Sequence, residues 1–182
     1  NMTFSSVTEC GGLKVEFVGQ RNFSAFYSAY FGEHACAATS LLNEISEQYS
    51  RENGETVNSA DLMKAMLDAV ESGSIDATDA TVNNWVEAAN EMAESLGLEG
   101  TYTYSNDRNE TDIRIFASDT DGDGKYNHFV NDIGGGQYYD PWTGKTGNIA
   151  DLTLATEGLG QTRNLSYTIK EGTKVLCDGA FF

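Results

Sequence analysis

Between Leu96 and Thr101 the sequence changes period, and that change limits what the chain can fold into more than any other feature. Before it, apolar residues recur every three or four positions. Leu41, Leu42, Ile45 and Tyr49 make one run, Leu62, Met63, Met66, Leu67 and Val70 a second, and Val82, Trp85, Val86, Ala89, Met92, Ala93 and Leu96 a third. After Gly100 come short runs rich in β-formers: TYTYS, DIRIFAS, HFVND, QYYD, NLSYTI and TKVLCDG. Helices followed by antiparallel strands imply one α+β domain over residues 1–182, with an N-terminal helical half packed on a C-terminal antiparallel β-sheet and a groove where they meet.

Punctuation residues set the expected boundaries. The first helix should run from about Ala35 to Tyr49 and stop at Asn53 and Gly54. The second should be capped by Ser59 and closed by Gly73. The third should begin near Asp79 or Thr81 and end at Gly97. Ahead of them, the alternation in LKVEFV predicts an early strand ending near Gly19, and residues 21–34 read as a loop with one helical turn. Residues 143–162 read as a long loop with a short helix.

A chain of 182 residues, 40% of them hydrophobic, is long enough to bury a proper core. Its net charge of −17 would repel a phosphate backbone or an anionic bilayer surface, so nucleic acid is not expected as a partner; solubility is the plain reading of that charge, and a cationic substrate segment drawn to an acidic groove is the alternative. No apolar run approaches the ~20 residues of a membrane span, so no membrane insertion is expected. The N-terminus NMTFSSVTEC has neither the basic start nor the apolar core of a signal peptide, and a mature protein or excised domain is expected. Strong acidity, few lysines and many small polar residues point to the extracellular side or cell surface of a bacterium. Cys10, Cys36 and Cys177 are an odd count, allowing one disulfide and one free thiol. Cys10 near the start and Cys177 near the end are the expected pair if the protein matures in an oxidising place.

The chemistry concentrates in YNHFVNDIGGGQYYDPWTG, residues 126–144. HFVND and QYYD form two arms of a hairpin reversing at Gly134 to Gly136, where positive φ angles are needed. His128 and Asp140, 140 − 128 = 12 positions apart, come to neighbouring strand ends. Pro141 biases Asp140 toward an extended conformation. An imidazole beside a carboxylate is half of a triad, and Cys36, in the first turn of a helix, is the matching nucleophile: the helix dipole and an imidazolium both favour its thiolate. His34, fixed beside the helix start, ranks below His128 as the base. Trp142 would shield the His128–Asp140 contact from water or simply pack.

CAATSLLNEI, HFVNDI and YYDPWTG resemble the three motif regions of papain-like cysteine peptidases of the bacteriocin-processing type, over roughly residues 13–145. The resemblance implies a papain-like fold and a peptide or protein substrate, with Cys36 as nucleophile, His128 as general base and Asp140 as orienting acid. Gln20 resembles the family's oxyanion donor, acting with the Cys36 backbone N–H. No metal or organic cofactor is implied. Ala37 and Ala38 stand where the family usually has Gly-Pro. Two alternatives remain: a non-catalytic peptide-binding module on the same fold, and another acyl-transfer enzyme such as a deamidase or transglutaminase.

DTDGDGKY, residues 119–126, spaces Asp119, Asp121 and Asp123 like the start of a calcium loop. The twelfth position is Val130 rather than a bidentate acid, so a glycine-rich turn is expected, with no calcium requirement for folding.

Overall fold

In the computed structural model, residues 5–105, 112–154 and 164–169 are described. The fold mixes helix and antiparallel sheet, as the change of period implied. The segregation is less complete than expected, because a hairpin, β1 (Ser5–Cys10) and β2 (Leu13–Val18), precedes the helices. A 3-10 turn at Gln20–Ala25 follows, then α1 (Ala29–His34), α2 (Cys36–Asn53), α3 (Ser59–Glu71) and α4 (Trp85–Ser95). The strands after them are β3 (Gly100–Tyr104), β4 (Ile115–Asp119), β5 (His128–Gly134), β6 (Gln137–Asp140), β7 (Lys145–Asn148), β8 (Thr153–Leu154) and β9 (Leu165–Ile169). Five of these make one sheet in the order β7-β6-β5-β4-β8, while β3 pairs with β9 separately.

Several boundaries differ from the expectation for local reasons. Asn58, not Ser59, caps α3, accepting from the Ala60 N–H at 2.8 Å. The third helix starts at Trp85 rather than near Asp79, because side-chain oxygens capture the backbone ahead of it. Asp76 Oδ1 accepts from Thr78 and Asp79 N–H at 2.8 and 3.1 Å, and Asp79 Oδ1 accepts from Thr81 N–H at 3.0 Å. Residues 21–34 hold both the 3-10 turn and α1, and residues 145–154 carry two strands about a 3-10 turn instead of an unpaired loop. The expected strand TKVLCDG, and with it Cys177 and its pairing with Cys10, lies outside the described residues.

α2 is the axis of the molecule. Leu41, Leu42 and Ile45 are fully buried against side chains such as Phe31, Leu62, Met66 and Met92, each contributing about 2 kcal/mol of burial. Its remaining surface is polar yet also buried, and hydrogen bonds clamp it between two strands. On one side Asn43 pairs with both backbone groups of Val18 (2.9 and 3.1 Å), and Ser46 Oγ donates to Glu16 O at 2.6 Å. On the other, Asn131 Nδ2 of β5 donates to Ser40 O at 2.8 Å and Glu44 Oε2 at 2.9 Å, while Ser40 Oγ donates to Phe129 O at 3.3 Å. Arg114 N–H donates to Glu44 Oε1 at 2.8 Å. Burial raises the Glu44 carboxyl well above the ordinary range, and neighbouring Glu47 adds to the effect. A second cluster joins the first hairpin to the sheet, with Phe17 and Tyr139 edge to face at 4.9 Å among Cys10, Val15 and Ile133.

Candidate active site

The clamp on α2 determines what meets in the groove. Ser40 lies one turn beyond Cys36, and the strand carbonyl it binds belongs to Phe129, the neighbour of His128. Cys36 is the first residue of α2 and half-buried. Ser28, Asn58 and Asn84 place side-chain oxygens on the first turns of α1, α3 and α4. Ala35, which precedes Cys36, has no such group, so no side chain caps the positive end of α2 where the sulfur sits.

The β5–β6 hairpin reverses through Gly134, Gly135 and Gly136, all at positive φ, as the glycine run predicted. His128 Nε2 lies 2.6 Å from Asp140 Oδ1, leaving Nδ1 free of Asp140, and Cys36 is close enough to the ring to raise its affinity for a proton. The two side chains of the pair are only 12% and 20% exposed. Burial disfavours the His128 cation, but Asp140 and Cys36 outweigh it and lift the imidazole from 6.5 to about 9. Burial likewise opposes ionisation of Asp140. The His128 hydrogen bond and charge, with the Trp142 and Thr143 N–H groups, prevail and hold it below the ordinary carboxylate range. At neutral pH an imidazolium therefore stands beside an ionised Asp140.

Asp140 is held in turn. Its Oδ1 accepts from Trp142 N–H at 2.8 Å across Pro141, and its carbonyl accepts from Gly144 N–H at 2.8 Å. Gln20 N–H donates to Pro141 O at 2.7 Å, and Arg21 donates to Trp142 O at 3.2 Å with its guanidinium 4.7 Å from the indole centroid. Trp142, His128, Asp140, Thr120 and Asn127 line a cavity of about 330 Å³ on this side. On the other side, Cys36 and Phe129 open on one of about 320 Å³ that also takes in Tyr30, Asp79, Val82 and Trp85.

Gln20 is buried, and its amide nitrogen donates to Gly32 O at 3.0 Å and Glu33 O at 3.2 Å, backbone carbonyls that compete with an oxyanion for the same nitrogen. What it does is fix the end of α1, immediately before Cys36. His34 is exposed, its Nδ1 2.7 Å from Tyr30 O and its ring stacked on Tyr30 at 4.0 Å; it lines the Cys36 cavity apart from the His128–Asp140 pair. Asp119, Asp121 and Asp123 do form a turn, joining β4 to β5. Their carboxylate oxygens converge within 4.8 Å, the one grouping among the described residues that could hold a cation, and Asp119 accepts from Gly122 and Gly124 N–H at 2.8 Å.

Asn131 is the residue that sequence reasoning missed. Its signal was available: it shares a strand face with Phe129 and Ile133, where an amide among apolar neighbours needs buried partners. Against family models, curated proteins and solved structures, the chain finds no match.

Proposed function

We propose that the protein is a papain-like cysteine peptidase that hydrolyses a peptide or isopeptide bond through Cys36, His128 and Asp140. One observation carries this reading: a His128 ring with Asp140 at 2.6 Å on Nε2, and Cys36, at an uncapped helix start, close enough to raise the ring's affinity for a proton. The Cys36 thiolate attacks the substrate carbonyl carbon, a C–S bond forms, and the carbonyl π-electrons move to oxygen. The oxyanion is met by the first-turn N–H groups of α2, with Gln20 acting to hold that turn. Collapse breaks the C–N bond as His128 gives its proton to the leaving amine. Neutral His128 then takes a proton from water, which attacks the thioester, and the thiolate leaves. Asp140 stabilises the imidazolium throughout and does not itself exchange the proton.

The test is the pH dependence of Cys36 alkylation by iodoacetamide, followed by peptide mapping. Alkylation should persist about two units below the free-thiol pKa of ~8.5, and His128→Ala should return the profile to the free value. A native profile indistinguishable from a free thiol would refute the peptidase reading and favour a groove that only binds peptides.

A further inference from the structure

Among the described residues Asp79 is the one carboxylate lining the cavity on the Cys36 side, and no Lys or Arg lines that cavity with it. Among the described residues no salt bridge reaches it. The other carboxylate in the groove, Asp140, is taken by His128. Asp79 Oδ1 accepts from Thr81 N–H at 3.0 Å, and the Thr81 backbone and hydroxyl, with the Asp76 side chain, hold the acid below its ordinary range. Between them Ala80, buried, takes φ = 60°, the only non-glycine positive φ among the described residues. That conformation costs about 1 kcal/mol and fixes where Asp79 is presented.

The walls below the carboxylate are aromatic and aliphatic. Trp85 and Phe129 meet at 6.2 Å between centroids, Val82 sits beside them, and Tyr30, 54% exposed, closes the outer side with its ring stacked on His34. Aromatic faces beneath an ionised acid suit a long side chain with an apolar stem and a cationic head. An aliphatic side chain of equal length would cover the carboxylate without pairing it, and an acidic one would meet both Asp79 and a chain of net charge −17.

We propose that this cavity is a subsite for a lysine or arginine side chain, making basic peptides the substrate class of the groove; the proposal rests on the reading of Cys36 as the nucleophile. The probes are peptidyl chloromethyl ketones carrying lysine, norleucine or glutamate at the first or second residue before the warhead, with the rate of Cys36 alkylation read by peptide mapping. At one of the two positions lysine should exceed norleucine by about tenfold, glutamate should be slowest, and high salt should narrow the gap. Asp79→Asn, which keeps an oxygen for Thr81 N–H, should bring lysine to within about twofold of norleucine. Norleucine equal to lysine at both positions, or a lysine advantage that survives Asp79→Asn, overturns the subsite. The same peptides without warheads, titrated into Cys36→Ala and followed by the Trp85 indole NMR signal, read binding with no chemistry. A lysine-selective shift there beside an unactivated native thiol would refute the peptidase reading and uphold the subsite. An activated thiol with no lysine selectivity in either experiment would do the opposite.

Discussion

Replacing Asp140 with Asn isolates the charge that holds His128. The amide keeps the shape and an oxygen for Trp142 N–H, but removes the negative charge 2.6 Å from His128 Nε2. Burial opposes the imidazolium and only Cys36 is then left to offset it, so without Asp140 the ring should fall from about 9 back toward 6.5, a drop of at most the whole gap. At 1.36 kcal/mol per pH unit, that gap corresponds to about 3 kcal/mol of folding stability, and with the side chain 12% exposed little of it is lost to solvent. The sign follows from the direction of each shift. A raised histidine stabilises fully below its unfolded value of 6.5, and the contribution disappears as pH climbs through about 9. A lowered aspartate stabilises above its unfolded value of 3.8, and the contribution disappears as pH falls below it. The pair therefore acts at full strength between about pH 4 and 6.5. Urea unfolding at pH 5.5 should show Asp140→Asn less stable by up to about 3 kcal/mol, a midpoint lower by up to about 1.5 M for a slope near 2 kcal/mol/M. At pH 10 the two proteins should nearly coincide. An equal loss at both pH values would mean packing damage, and no loss at pH 5.5 would mean that the ion pair does not form.

Asn131→Leu should destabilise by about 3 kcal/mol or more, because it strips Ser40 O and Glu44 Oε2 of their donor inside the core; urea unfolding will show it. In Gly32→Ala the new methyl would sit 2.0 Å from Ser24 Oγ and 3.1 Å from Ser24 N. Stability should fall by about 1–3 kcal/mol, with partial recovery in the Ser24→Ala background, since only the hydroxyl clash is relieved. Burial, aided by Glu47 and Glu44, pushes the Cys10 thiol up to about 12, so iodoacetamide at pH 8 should label Cys36 in the folded protein and reach Cys10 only with denaturant. Asn84→Ala, which removes the acceptor for Glu87 N–H, should cost about 1 kcal/mol in thermal or urea unfolding.

Local signals carried the sequence reading where one signal dominated. Gly54 in the left-handed region ends α2, and the Gly134 to Gly136 reversal made the histidine hairpin legible from composition alone. Competing signals moved boundaries. Asn58 and Ser59 are both good caps, and only the backbone decides between them. Val82, three residues before Trp85, extends the helical stripe of α4 on paper, but it forms a bridge with Ile75 because Asp76 and Asp79 bind the intervening N–H groups themselves. What resisted reading was non-local. Ser40, Asn43 and Glu44 look like a solvated helix face, and their partners, Val18, Arg114 and Asn131, are distant in the chain. Gln20 shows the limit most plainly: its place near the cysteine was readable, whereas the direction of its amide depends on two carbonyls of α1.

Cys36 and His128 are 128 − 36 = 92 positions apart, and this separation bears on when the thiol becomes reactive. During synthesis α2 emerges first, with its sulfur at a bare helix end but without an imidazole. Helix formation alone supplies no base for the thiol. Pairing of the two waits for a large loop to close and for the histidine hairpin to dock on α2 through Asn131 and Ser40, a costly kind of contact for a chain to form. On the proposed reading of Cys36, nascent and misfolded chains thus carry a quiet cysteine, and reactivity becomes a property of the finished molecule alone.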